Sequence, residues 1–388
     1  MKKKAVSILL TVTMAAAMLS GCGNNAGSAS GDASASSDGA ATESGKAATE
    51  DFSNIKVGAI GSFGKDDGGW TQAQYTGIVN ALSELGISED NLEFVDNVAE
   101  TGTDFTNAAE GLVADGCNII IGASTGYKSA IEELSSKYPD IQFAQADGTS
   151  MNGNLCGYQI RSYEGMFLCG YISALMSDQD DLGYSAGQPE ASVIQGINAF
   201  ALGAKYANPN ATVRVVWANS WYDPTAEADC ANSLISLGIK CIGINASSPA
   251  IPQACEAAKV LCTGYHVDMK DYAPDAVMVS YMWNWAPIFE DIIEQYAADG
   301  TPKDTSYYWG AEENCSTISD INMDIVPQDV ADKVHDIQQK IASGELDVLA
   351  GEIKDNQGNV IVKEGETISD EVNRSMDFLV DNVIGQLP

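Results

Sequence analysis

The residues of this chain best suited to chemistry are aromatics, amides, hydroxyls and carboxylates that each follow a short apolar run. Lys65-Asp66-Asp67-Gly68-Gly69-Trp70-Thr71-Gln72 follows Lys56–Ile60, with Gln74 just beyond, and Gly122-Ala123-Ser124-Thr125 follows Cys117–Ile121. Asp147, the Trp217–Asp223 stretch with Trp221 and Asp223, Ser247, His266, Asp268, Trp283 and Asn284 occupy matching places further on. Aromatic faces stack on flat rings, and the polar groups hydrogen-bond to heteroatoms at a ring edge. This set suits recognition of a flat, neutral, heteroatom-rich molecule. It does not spell catalysis. His266 and His335 stand far apart with no triad or chelate spacing around them, so no metal is implied. No GxxxxGK[ST] loop is present, and Gly58, Gly61 and Gly64 lack dinucleotide-fingerprint spacing, so no cofactor is implied either.

A second chemistry belongs to Cys22. Lys2, Lys3 and Lys4 precede an apolar run, Ala5 to Leu19, that is short for a membrane span, and Leu19-Ser20-Gly21-Cys22 follows. These residues resemble a bacterial lipobox, in which a cysteine thiol receives a diacylglycerol and the leader is removed. Several acyl chains on one residue anchor a protein stably, at about 0.8 kcal/mol per buried methylene. The expectation is a leader over 1–21, a lipidated Cys22, and a flexible linker to residue 54, because Gly, Ala, Ser, Thr and acidic residues there offer little apolar surface to offset chain entropy. The protein would then sit at the cell membrane, lipid-anchored on the extracytoplasmic face.

The formal charge of −34 disfavours nucleic acid and anionic lipid headgroups as partners, and favours solubility outside the cytoplasm. Besides Cys22, the cysteines are 117, 156, 169, 230, 241, 255, 262 and 315. Most fall inside apolar runs and none forms a CxxC pair, so buried free thiols are expected rather than a disulfide framework.

The elements that must position the polar residues alternate. Strand-like Lys56–Ile60, Leu92–Val95, Cys117–Ile121 and Ile141–Ala144 are separated by helical patterns such as Tyr75, Ile78, Val79, Leu82. The pattern then restarts at Leu155–Ile160 and runs through Leu182–Ser185, Val213–Val216, Cys241–Ile244 and Val260–Gly264. Val277–Tyr281 and a helix from about Pro287 to Ala297 could return to the first sheet. The reading is α/β: two doubly wound parallel-sheet lobes joined by several crossings. One lobe comprises 55–150 with about 277–315, the other about 151–276 with 316–388. Ligands of such sheets sit beyond the carboxyl ends of the strands, where the polar residues above fall.

With those segments in place, the chain resembles the basic membrane protein family of ABC-transporter substrate-binding lipoproteins, relatives of the purine nucleoside receptor. Asp66–Gln72, Glu164–Tyr171, Gly196–Phe200, Asn208-Pro209-Asn210, Trp221-Tyr222-Asp223-Pro224, Asp268-Met269, Trp283-Asn284-Trp285 and, in the tail, Gly351–Gly358 and Ser375-Met376-Asp377 carry the likeness. The resemblance implies a type I periplasmic-binding-protein fold, a monomer, and permease and ATPase subunits as partners. It implies a purine base or nucleoside sandwiched between Trp70 and Trp221 with Asp147 in contact; joined to the strand-end residues, the expected site is Asp67, Trp70, Thr71, Gln74, Ser124, Asp147, Trp221, Asp223, Ser247, His266, Asp268, Trp283 and Asn284. Thr71, His266 and Trp283 stand where nucleoside binders carry asparagine, aspartate and lysine, and Gln74 where the purine branch carries histidine. These differences favour a free base or another flat heterocycle over a nucleoside. A ligand-sensing lipoprotein uses the same fold and is the second reading; a secreted enzyme is the third.

Overall fold

The computed structural model describes residues 51–148 and 152–388. The leader, Cys22 and nearly all of the linker lie outside the described residues. Near-continuous apolar runs form the central strands, because a parallel strand covered by helices on both faces has no solvent side to alternate with. β1 (Val57–Ile60) is buried at every position. The first half continues through α1 (Trp70–Glu84), β2 (Leu92–Val95), α2 (Gly102–Ala114), β3 (Ile119–Gly122), α3 (Lys128–Lys137), β4 (Gln142–Ala146) and β5 (Leu155–Ile160). Then come α4 (Ser162–Met176), β6 (Asp181–Ala186), α5 (Ala191–Ala207), β7 (Thr212–Trp217), α6 (Pro224–Ser236), β8 (Cys241–Ile244), α7 (Ala250–Ala258), β9 (Leu261–Gly264) and β10 (Val277–Trp283). The chain closes with α8 (Ala286–Ala297), β11 (Ser306–Trp309), β12 (Ser316–Ile318), α9 (Gln328–Ala342), β13 (Ile353–Lys354), β14 (Val360–Val362), α10 (Asp370–Arg374) and β15 (Val383–Ile384).

Two sheets result. The first has the order β11-β5-β4-β3-β1-β2 and the second β12-β10-β9-β8-β6-β7-β15. Pairing is parallel throughout except for β12, which runs antiparallel to β10. The doubly wound two-lobe expectation is met, and two strands exchange places relative to it. Leu155–Ile160 was expected to open the second sheet, yet it pairs with β4 in the first, Phe143 opposite Leu155. Val277–Tyr281, expected to return to the first sheet, pairs with β9 in the second. The reason is the connection each strand leads into. β5 passes directly into α4, which packs on α5 and β10, and β10 passes directly into α8, which packs on α1. Those two passages and the β11-to-β12 link are the crossings between the sheets.

The eight cysteines from Cys117 to Cys315 are buried and unbridged, in line with the sequence reading. Among the described residues no helix is long and apolar enough to cross a membrane. The tightest helix contact is between α4 and α5, and glycine makes it. A Cβ on Gly170 would collide with the Phe200 carbonyl, and one on Gly203 with the Phe167 carbonyl. Gly111, inside α2, has no such neighbour within 4 Å. Gly170→Ala is therefore expected to cost about 1–3 kcal/mol by overpacking, whereas Gly111→Ala gains up to about 1 kcal/mol of helix propensity. Scanning calorimetry at a fixed scan rate checks the opposite signs; equal melting temperatures for both variants would remove the packing role of Gly170.

Candidate functional site

The carboxyl ends of both sheets converge on one cavity of about 380 Å³. Asp67 and Trp70 reach it from beyond β1, Ser124 from beyond β3, Asp147 from beyond β4 and Gln159 from the end of β5. The second sheet contributes Trp221 beyond β7, Ser247 beyond β8, Tyr265 and His266 beyond β9, and Trp283 at the end of β10. Tyr308 of β11 and Arg374 of α10 complete the wall.

Local chemistry fixes the aromatic side. α1 starts at Trp70 with no capping side chain at Gly69, so its first N–H groups need an acceptor from elsewhere. The Asp67 carboxylate supplies it, accepting from the backbone N–H of Gly69 at 2.8 Å, Thr71 at 3.3 Å and Gln72 at 3.0 Å. Asp67 thus lines the cavity and holds the helix turn that aims Trp70. The Trp70 indole N–H donates to the Ala123 carbonyl at 2.7 Å. Its ring stands edge-on to Trp283 and Trp285, at 5.3 and 5.5 Å between centroids, while those two stack on each other at 5.2 Å with planes 5° apart. With its N–H committed to the protein, Trp70 has only ring surface to offer a ligand. Trp221 lies in a loop and is 46% exposed.

The polar side has a defined tautomer. The Trp283 indole N–H can only donate, and it does so to His266 Nδ1 at 2.9 Å. The His266 proton therefore resides on Nε2, 3.3 Å from the Ser247 hydroxyl. Burial pushes the His266 pKa down to about 3, so the ring is neutral at physiological pH. Asp147 moves the other way: burial raises its carboxyl to about 6, against the lowering effects of a hydrogen bond from Gln159 and the charge of Arg374. Both residues occupy left-handed backbone, φ 49° for Asp147 and 71° for His266. That conformation costs non-glycine residues of order 1–2 kcal/mol and is concentrated at functional sites.

Of the residues expected from sequence, Asp67, Trp70, Ser124, Asp147, Trp221, Ser247, His266 and Trp283 line this cavity. Five do not. Thr71 is buried with its hydroxyl accepting from the Phe63 N–H, and Gln74 is buried with its side-chain carbonyl accepting from the Tyr158 hydroxyl. Asp223 caps α6, accepting from the N–H of Thr225 and Ala226 ahead of which Pro224 starts the helix. Asp268 is exposed and accepts from the Lys270 N–H. Asn284 donates to the Asn314 carbonyl. Gln159, Tyr265, Tyr308 and Arg374 were not anticipated. Gln159 follows from placing β5 in the first sheet, and Tyr265 directly precedes His266. Nothing local marks Tyr308, and Arg374 directly precedes Ser375-Met376-Asp377 of the family likeness.

Three comparisons bear on this geometry. A family model described as ABC transporter substrate-binding protein PnrA-like matches residues 54–352. The chain is 33% identical over 336 residues to a purine-binding protein of Brucella abortus, covering 86% of this chain and 94% of that one. It is 31% identical over 299 residues to a putative ABC transporter glucose-binding protein of Haloferax volcanii, covering 76% and 72% respectively. Among solved structures, an ABC transporter solute-binding protein from Conexibacter woesei matches with a TM-score of 0.64 at 18% identity, covering 76% of this chain and 98% of that one, a likeness of fold alone.

The neutral His266 has a consequence for stability. Its pKa in the fold, about 3, lies below the ordinary 6.5, so between those values the unfolded chain binds a proton that the folded chain refuses. Stability present above pH 6.5 is lost as pH falls toward 3. Asparagine tolerates left-handed backbone and does not titrate. In urea unfolding of the ligand-free protein, the wild type should lose stability faster than His266→Asn between pH 7 and pH 4. Parallel profiles for the two would place the acid sensitivity elsewhere.

Proposed function

The chain belongs to the PnrA-like family of ABC transporter substrate-binding proteins, and from that premise we propose that it captures a free purine base between its two lobes. Substrate-binding proteins of ABC importers work with permease and ATPase subunits, to which they deliver their ligand. The observation that carries the purine reading is Trp70. Its indole N–H is already satisfied, its orientation is set by the Trp283–Trp285 stack, and it borders a cavity that Trp221 reaches from the other lobe. A cavity of about 380 Å³ falls within the range of small-molecule sites, and the free base rather than a nucleoside is favoured by Thr71, His266 and Trp283 standing where nucleoside binders carry other residues. The Brucella abortus relative, named as purine-binding, supports the same ligand class. A sugar is the second reading, favoured by the relative named as glucose-binding.

Closure follows from linkage: a ligand that touches both lobes favours the state in which both can touch it. The three crossings are the segments about which the lobes can turn. Attachment through lipid on Cys22, with the body held on the extracytoplasmic face by the linker, completes the proposal; it rests on the leader and on the Leu19–Cys22 motif.

Purine bases are expected to raise the melting temperature of the purified protein, while glucose and amino acids do not. Trp70→Ala and Trp221→Ala should each weaken base binding by roughly 5- to 150-fold in calorimetry, the equivalent of about 1–3 kcal/mol of stacking. A shift given by glucose alone would replace the purine reading with the sugar one. Cys22→Ser should abolish incorporation of labelled lipid and release the protein from the membrane fraction; lipid labelling that persists in the variant would end the anchor assignment.

A further inference from the structure

Arg374 belongs to the C-terminal tail, beyond the 54–352 segment matched by the family model. It nevertheless lines the ligand cavity. Its guanidinium carbon lies 4.0 Å from the centroid of the Tyr308 ring, and that of Arg161 lies 4.7 Å from the same centroid. The two arginines are used differently. Arg161 donates from Nε to the Tyr308 carbonyl at 2.9 Å and from Nη2 to Asp370 at 3.0 Å, so it ties β5 to β11 and α10. Arg374 Nε is buried with no hydrogen-bond partner. An unpaired buried donor costs about 1–3 kcal/mol, and a charged group more. The surrounding contacts hold it there all the same: Asn373 donates to the Tyr308 hydroxyl at 3.0 Å, and the Gln195 side chain donates to the Asn373 carbonyl at 2.5 Å.

The groups facing Arg374 complement it. Asp147 lies close enough to feel its charge, and the Gln159 side chain donates to the Asp147 carboxylate. That leaves Gln159 Oε1, which is buried and also unpaired. Arg374, Asp147 and Gln159 all line the cavity, and they bring to it one cationic side chain, one carboxyl group and one amide whose oxygen has no partner within the protein. A ligand edge that satisfies all of them carries a carbonyl or ring-nitrogen acceptor adjacent to N–H donors. Purines with an oxygen at position 6 have this edge: the oxygen and N7 accept, and the neighbouring N1–H donates. Arginine pairs with such an O6/N7 edge more often than with any other base feature. Adenine would turn an amino group, a donor, toward the position of that oxygen.

We propose that Arg374 is a specificity-determining ligand residue, supplied by the tail, that donates to the 6-oxygen of an oxopurine while Asp147 and Gln159 accept its N–H groups. The proposal rests on the base reading above and narrows it from purines at large to hypoxanthine- and guanine-like bases.

Calorimetry on the full-length protein with hypoxanthine, guanine and adenine, each titrated into wild type, Arg374→Lys and Arg374→Met, tests this. The wild type should bind hypoxanthine and guanine at least roughly tenfold more tightly than adenine, the discrimination expected of one well-placed pairing. Arg374→Met, which keeps an apolar stem against Tyr308, should lose most of that preference through weaker oxopurine binding, with adenine affinity nearly unchanged. Arg374→Lys, which keeps the charge, should recover part of it. Equal losses for all three bases, or no loss for any, would reduce Arg374 to a packing role, and adenine as the tightest wild-type ligand would overturn the assigned edge. If the wild type binds none of the three, the base reading itself fails, and this outcome is distinguished by the wild-type titrations alone.

Discussion

The stack of Trp283 on Trp285 is the contact on which the rest of the molecule depends. These residues flank the point where the chain leaves the second sheet and crosses to the first, and their rings lie 5.2 Å apart with planes 5° from parallel. Trp285 is fully buried and edges against Tyr158 of β5 at 5.4 Å, while Trp283 edges against Tyr281 at 5.1 Å. One stack therefore reaches both sheets. It also sets the ligand side, because Trp70 stands edge-on to both rings and Trp283 orients His266 through a hydrogen bond. Edge-to-face and offset geometries contribute about 0.5–1.5 kcal/mol each beyond area burial, so the cluster is stiff as well as apolar. Gly77 of α1 is what lets the helix lie against it: a Cβ there would sit 2.5 Å from that of Trp285.

Stiffness on one wall is matched by incomplete pairing on the other. Arg374 Nε and Gln159 Oε1 are buried without partners, and Asp147 and His266 hold left-handed backbone. Each of these weakens the folded protein on its own. Together they describe a cavity organised for something other than its own stability, with its polar atoms fixed before a ligand arrives. Such preorganisation reduces the ordering cost of binding. Four acidic side chains line the cavity, Asp67, Glu100, Asp147 and Glu190, against one guanidinium, that of Arg374, and its histidine is neutral.

Much of this could be read from the sequence, and the failures share one cause. Alternating apolar runs identified the strands and helices, since their periodicity is local. Which sheet a strand joins is decided by where the following helix packs, and so β5 and β10 were exchanged. Trp70 and Trp221 were legible because each stands in a polar stretch off any apolar helical stripe, Trp70 directly after Gly68-Gly69 and Trp221 between Ser220 and Tyr222. Carboxylates were not equally legible: Asp67 and Asp223 both precede helices, and both cap them, yet only Asp67 also lines the cavity. Helix capping and ligand binding place the same residue type in the same position at a strand-to-helix turn. Arg374 was not singled out although Ser375-Met376-Asp377 beside it carries the family likeness, because its place at the cavity depends on how the tail packs against Tyr308.

Closure of the lobes is limited by backbone, not by side chains, at the turn that matters most. Gly69 precedes Trp70, and a Cβ on it would stand 2.9 Å from the Ser247 carbonyl oxygen in the opposite lobe. Further out, Phe63 and Tyr222 meet across the rim with centroids 6.0 Å apart. The approach at Gly69 brings the N-terminus of α1 beside the loop that carries Ser247, and Ser247 in turn faces His266. Contact between the lobes therefore acts on the residues that orient the aromatic and polar walls together. A larger residue at position 69 would hold the walls apart and deprive a flat ligand of its second face, so the fit of the cavity and the completeness of closure are set by the same absent methyl group.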